Sequence, residues 1–292
     1  MKSICVTKYI EVLNQFRVKN PDYATTLENV RKKYGAFYDT SDCLIAQNLN
    51  MGILSKLGGV PFAISNMKGN VDLYIGIDVG TATNGIHYPA CSVAFTKDGS
   101  FLGFVQPVDA IPGEKIPPDV LRKLLTEILV AYREKYQEYP KSVVIHRDGF
   151  SHEDSSIYSD FFEKEGIKVS VFEIRKVGAP RIMNRNNQDG QNRNYKYAWN
   201  PVKGTLLFRE DEAFLVTTEA KAGGAPKTIH IVKKYGDINI QTAAEQIYAL
   251  TKIDASSIWD TRLPVTIKFA DAVCKQRKYL PKGIVDNRLL FL

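Results

Sequence analysis

Leu73-Tyr74-Ile75-Gly76-Ile77-Asp78-Val79-Gly80-Thr81 decides how the rest of this chain is read. Leu73, Ile75 and Ile77 alternate and Val79 continues the pattern, which predicts a strand with one aliphatic face. Apolar residues on both sides of the run imply that other structure covers it. Asp78 stands where such a strand ordinarily carries Val or Thr. A buried carboxylate is costly unless it is paired or binds a metal. Asp78 therefore either caps the following turn through Gly80 and Thr81, or holds a cation.

Downstream, strands are expected over Ala90–Thr96 and Phe101–Val105, joined by the hairpin signal Lys97-Asp98-Gly99-Ser100. A long amphipathic helix is expected from Asp119 to Tyr136. Ser142-Val143-Val144-Ile145-His146 reads as a buried strand ending in Arg147-Asp148-Gly149. Ser151-His152-Glu153-Asp154 is expected to cap a helix running to Glu165. Further strands are expected at Lys168–Ile174 and Thr228–Val232, with a hairpin between Leu206–Phe208 and Ala213–Thr217. Helices follow at Gln241–Ile253 and Thr266–Tyr279. Upstream, residues 1–70 read as a mostly helical segment closed by a linker over 60–70, and a second domain occupies 71–292. The order β-β-β-α-β-α-β predicts an α/β domain: a mixed central sheet flanked by helices, the layout of the ribonuclease H-like fold.

The chain has 292 residues, 44% of them hydrophobic, enough for a full core. A net charge of +7 favours a polyanionic partner. The cysteines, Cys5, Cys43, Cys91 and Cys274, are far apart and form no zinc-type spacing, which points to a reducing, cytoplasmic setting. No apolar run is long enough to span a membrane.

Asp148 at a strand end and Asp271 on the apolar face of the late helix join Asp78 as acids on surfaces that otherwise read as buried. At ~4 Å, two like charges repel by about 4 kcal/mol at an effective dielectric near 20. A divalent cation turns that repulsion into coordination. Oxygen ligands without Cys or His suit Mg²⁺ or Mn²⁺, and two such ions serve phosphodiester cleavage. The competing reading is a turn cap at Asp148 and a solvated helix residue at Asp271. A basic, asparagine-rich stretch carries Lys176, Arg181, Arg185, Arg193 and Lys196, interleaved with Tyr195, Tyr197 and Trp199. Such a stretch suits phosphates and stacked bases, or is simply a solvated loop.

Lys56-Leu57-Gly58-Gly59-Val60-Pro61, Tyr74-Ile75-Gly76-Ile77-Asp78-Val79-Gly80, His146-Arg147-Asp148-Gly149, Phe269-Ala270-Asp271-Ala272-Val273 and the apolar end at Leu292 occur in an order that resembles the prokaryotic-type Argonautes. The resemblance covers about residues 20–292, as the end of a MID domain (1–70) and a whole PIWI domain (71–292). It implies a guide-directed endonuclease that cuts a target strand, DNA or RNA, paired to a short guide. It implies Asp78, Asp148 and Asp271 as metal-binding catalytic acids. Glu114, about midway in sequence between Asp78 and Asp148 on a Pro- and Gly-flanked loop, is implied as a fourth that swings in. Tyr23, Gln47, Asn48, Lys56, Arg277 and Tyr279 are implied at the guide's 5′ end, with the Leu292 carboxylate helping to hold a cation there. Leu27, where the family carries a Lys, departs from the pattern and opens the pocket to a 5′-hydroxyl guide or a metal. The basic stretch is implied along the nucleic-acid channel. N-terminal and PAZ domains accompany such segments, on the same chain or another. The alternatives are a guide-binding protein that does not cut, and another ribonuclease H-like nuclease such as a transposase or resolvase.

Overall fold

The computed structural model describes residues 50–57, 59–60, 62–65, 67–81, 87–111, 113–183, 200–220, 225–257, 260–289 and 291. The compact unit that holds the sheet spans Met51–Leu292.

Eight strands form one sheet: β1 Leu73–Thr81, β2 His87–Thr96, β3 Phe101–Val105, β4 Ser142–Asp148, β5 Lys168–Arg175, β6 Leu206–Arg209, β7 Glu212–Leu215 and β8 Ile229–Tyr235. Their order is β3-β2-β1-β4-β5-β8-β7-β6. β1 pairs antiparallel with β2 and parallel with β4, with Leu73 opposite Thr96 on one side and Val143 on the other. β4 and β5 are parallel. β5, β8, β7 and β6 then continue antiparallel. A three-strand meander leading into two parallel strands is the ribonuclease H-like arrangement that the element order predicts.

Among the described residues, four helices cover the sheet: α1 Pro118–Tyr136, α2 Ser156–Phe162, α3 Ile240–Leu250 and α4 Val265–Gln276. α1 opens on Pro118, carries Asp119 in its first turn and Arg133 and Lys135 in its last, all favourable for the helix dipole. It stops at Gln137, in the left-handed region at φ 61°. Leu121, Leu124, Leu125 and Ile128 of α1 pack against Leu73, Ile75 and Ile77 of β1 and Val143 and Ile145 of β4. The opposite face of the sheet, with Tyr74, Val144, Phe172 and Ile174, buries α3 and α4. Each fully buried aliphatic side chain contributes about 1.5–3 kcal/mol over its exposed state, so these two layers hold the sheet and fix which face each strand residue takes.

The helix opens through Asp154 rather than Ser151: α2 starts at Ser156, whose amide donates to Asp154 Oδ1 at 3.0 Å. Ser151 Oγ instead donates to Glu153 Oε2 at 3.0 Å. Glu153 is 6% exposed and turned inward. A buried arginine, Arg147, draws it there.

α4 runs alongside β1. A Cβ built on Gly76 would lie 2.1 Å from the Thr266 carbonyl oxygen, and one on Gly80 would lie 3.1 Å from Cys274 Cβ. The eight residues from Thr266 to Cys274 rise ~12 Å as helix and the four from Gly76 to Gly80 advance ~13 Å as strand. Helix and strand therefore climb in step, and Asp271 comes level with Asp78.

Candidate metal centre

Strand alternation aims the site residues at one face. Tyr74, Gly76 and Asp78 of β1, and Val144, His146 and Asp148 of β4, point toward the α3–α4 layer, opposite to Ile75, Ile77, Val143 and Ile145. His146 Nδ1 lies 2.9 Å from Thr266 Oγ1, and burial pushes its pKa down to about 3, so it is a neutral support for α4. Asp78, 8% exposed, and Asp148, at the last position of β4, sit at the same end of the sheet. Asp271 on α4 faces them.

The electrostatics tie the three together. Burial first, then the charge of Asp148, pushes the Asp78 carboxyl up to about 7; a side-chain hydrogen bond with Asp148 and the charge of Asp271 add to the shift, and Lys176 opposes it. Lys176, just past β5, places Nζ 2.5 Å from Asp148 Oδ2 and 3.9 Å from Asp271 Oδ1. Burial works against its charge. Asp148, with Asp78 and Asp271, outweighs that and holds the ammonium above the usual lysine range. Arg262 Nη1 donates to the Lys176 carbonyl at 3.0 Å, and Lys275 Nζ lies 2.5 Å from Asp271 Oδ2. Three acids thus gather about the Lys176 ammonium: Asp148 in direct contact, Asp271 at the limit of an ion pair, and Asp78 through its charge and its hydrogen bond with Asp148. Among the described residues no three acids are already set around a common metal position. The donor set still fits a hard divalent ion, because it is all carboxylate, crowded enough to hold one member protonated, and already binding positive charge.

Glu114 stands apart. Its side chain is 60% exposed and its Oε2 lies 3.2 Å from His152 Nε2. Of the other expected residues, Lys56 is exposed and Tyr279 is 75% exposed. Arg277 is buried, and its Nη2 donates to the carbonyls of Pro107 and Val108 at 3.3 and 3.2 Å, toward the loop that leads to Glu114. Arg181 Nη1 donates to the Ala225 carbonyl at 2.7 Å. Tyr23, Gln47, Asn48, Arg185, Arg193, Lys196 and Leu292 lie outside the described residues.

Three groups escaped the sequence reading. Arg262 backs Lys176. Glu173, 1% exposed, holds the Arg175 guanidinium at 2.5 Å, accepts from the Ser151 amide at 2.8 Å and lies 3.6 Å from Lys234 Nζ. Arg175 in turn stacks on the exposed ring of Phe150, 4.1 Å from its centroid, on the loop after Asp148. Arg147 and Glu153 form the third group. The alternation of β4 carried a signal for it: Arg147 falls on the face of Val143 and Ile145, where a charge needs a partner.

Fold and site together define a ribonuclease H-like domain with an acid cluster drawn from its first and fourth strands and from α4. A Piwi domain model matches residues 7–281, and the chain belongs to that family. It is 36% identical to Clostridium butyricum Argonaute in a structure bound to a guide DNA with a 5′ deoxycytidine and a 19-mer target DNA; the match has a TM-score of 0.76 and covers 89% of this chain and 34% of that one. It is 29% identical over 233 residues to the protein argonaute of Thermus thermophilus, covering 79% of this chain and 32% of that protein. A structure of Aquifex aeolicus Argonaute shares the fold at a TM-score of 0.63 and 22% identity, covering 84% of this chain and 34% of that one. The chain spans about a third of the length of the relatives it matches.

Proposed function

We propose that this chain is the cutting part of a guide-directed endonuclease, with residues 71–292 as the catalytic PIWI unit and 1–70 as the end of the segment that grips the guide's 5′ end. The observation that carries the proposal is that Asp78, Asp148 and Asp271, from three distant segments, lie close enough to shift one another's charge, with Lys176 among them. Packing gives no reason to bring three acids together. A guide DNA and a target DNA in the Clostridium butyricum structure support the same ligand classes here. The net charge of +7 supports a polyanionic partner.

Asp78, Asp148 and Asp271 would hold Mg²⁺ or Mn²⁺, two ions in the full site. Bound ions would stabilise the leaving oxygen and make an attacking water more acidic. With ions held there, Asp78 would act as a carboxylate and Lys176 would give up its place on Asp148; Glu114, now on His152, would be the fourth acid. Phe150 and Arg175, with Arg181, Arg185, Arg193 and Lys196, grip the strands without reading sequence, which is left to base pairing. Cleavage leaves a 3′-hydroxyl and a 5′-phosphate.

The test is to load the chain with a short guide, add a labelled complementary target and Mn²⁺ or Mg²⁺, and map the products. A single metal-dependent cut, fixed relative to the guide's 5′ end, is expected. Cutting that ignores the guide would favour a transposase- or resolvase-type nuclease. A second reading, guided binding without cleavage, draws on the Lys176 ammonium lodged against the acids and on Glu114 turned away; tight target binding with no cut under either metal would select it.

A further inference from the structure

The loop that carries Glu114 is pinned from behind by a buried ion pair. Arg147 is 3% exposed and Glu153 is 6% exposed, and Arg147 Nε lies 3.4 Å from Glu153 Oε2. Arg147 Nη1 donates to the Asp148 carbonyl at 2.7 Å, and Nη2 donates to the Glu114 carbonyl at 3.3 Å. Glu153 Oε1 accepts from the Ile116 amide at 2.9 Å. One buried guanidinium thus links the backbone of an acid in the cluster to the backbone of the acid outside it, and its partner carboxylate grips the same loop two residues on. Gly113, just before Glu114, sits at φ 100° with open space around it. That conformation suits glycine and strains any other residue.

A buried Arg–Glu pair is a poor way to gain stability, since well-packed apolar residues do as well or better. What this pair supplies is direction: its hydrogen bonds run to the backbones on either side of the acid cluster. We propose that the Arg147–Glu153 pair positions Glu114, tying that residue's backbone to that of Asp148 so that the side chain enters the acid set from a defined start. His152 holds the side chain outside in the state seen here. Arg147 and Glu153 act through Glu114 and touch no reacting atom. The proposal rests on the cleavage reading above.

The test compares Glu153→Gln, Glu114→Ala and the double variant in the guide-loaded chain. Gln keeps an acceptor for the Ile116 amide and nearly the same shape but leaves the buried Arg147 without its counter-charge, so cleavage and exchange are compared well below the variant's own melting temperature. Glu153→Gln is expected to slow cleavage about tenfold or more, to raise the Mn²⁺ concentration needed for half-maximal rate and to leave target affinity unchanged. It is also expected to speed amide hydrogen exchange at residues 114–116 while exchange in β1 and β4 stays as in the wild type. Added to Glu114→Ala, it should have no further effect on cleavage. Full additivity of the two losses, or unchanged exchange at 114–116, would overturn the proposal and leave the pair a support of the fold. A wild-type chain that binds target without cutting would overturn the cleavage reading instead, and the exchange measurement would then still decide whether the pair pins the loop.

Discussion

The Thr266 carbonyl occupies the space where a side chain on Gly76 would begin, 2.1 Å from an ideal Cβ there. This contact sets α4 against β1 and brings Asp271 level with Asp78. The obstacle is backbone, so it cannot step aside as a flexible side chain would. Gly76→Ala is expected to push α4 outward and to destabilise the fold by at least the ~1–3 kcal/mol typical of overpacking. Urea denaturation checks the cost. Cleavage should fall more steeply than stability predicts, because Asp271 moves with the helix.

Asp78 makes the metal-free protein sensitive to pH. Its carboxyl is raised from an ordinary value near 3.8 to about 7, so between those values the native state holds a proton that the unfolded chain releases. The native state binds more protons, so this contribution to stability is full below the ordinary range and is lost as pH rises through about 7. His146, held down to about 3 by burial, acts oppositely: its contribution is lost as pH falls below its ordinary range. The Asp78 part is therefore read as the difference between wild type and Asp78→Asn. The wild type should lose stability relative to that variant from pH 5 to pH 8 in chelator. With Mn²⁺ present the trend should reverse, as the metal replaces the proton.

Lys176 is the resident counter-ion of the acid cluster. Lys176→Met keeps the aliphatic stem and removes the charge, leaving three acids to repel one another. The metal-free variant should melt several degrees below wild type, and saturating Mn²⁺ should raise its melting temperature by more than it raises that of the wild type. An equal metal-induced rise in both proteins would show that Lys176 does not occupy the cation position.

Glu173 is buried with Arg175, Lys234 and the Ser151 amide around it. Glu173→Ala strands the Arg175 guanidinium beneath Phe150. Breaking a buried pair costs about 3–5 kcal/mol, and the partial exposure of Arg175 puts the expected loss at the lower end. Chemical denaturation measures it.

The strands, α1, α4 and the three aspartates were legible in the sequence because period-2 and period-3.6 patterns report burial directly, and an acid that interrupts such a pattern stands out. Strand order places Asp78 and Asp148 side by side; the approach of Asp271 depends on how α4 lies along β1 at Gly76 and Gly80. By sequence Lys176 belongs to a basic run with Arg181 and Arg185, and only the strand places it on the face of Phe172 and Ile174. Arg147 and Glu153 were passed over for a related reason. Their pairing depends on a chain reversal after Gly149, and Glu153 lies inside a stretch whose Asp154 serves the start of α2. Glu114 was found by resemblance; no local pattern separates it from any solvated loop glutamate.

The central claim is that Asp78, Asp148 and Asp271 form one cation centre. Anomalous scattering from crystals soaked in Mn²⁺ tests it most directly. A peak within about 2.5 Å of oxygens from all three carboxylates, with the Lys176 ammonium displaced from Asp148, is the predicted result. Absence of a peak there, with Lys176 still seated on Asp148 at saturating Mn²⁺, would contradict it.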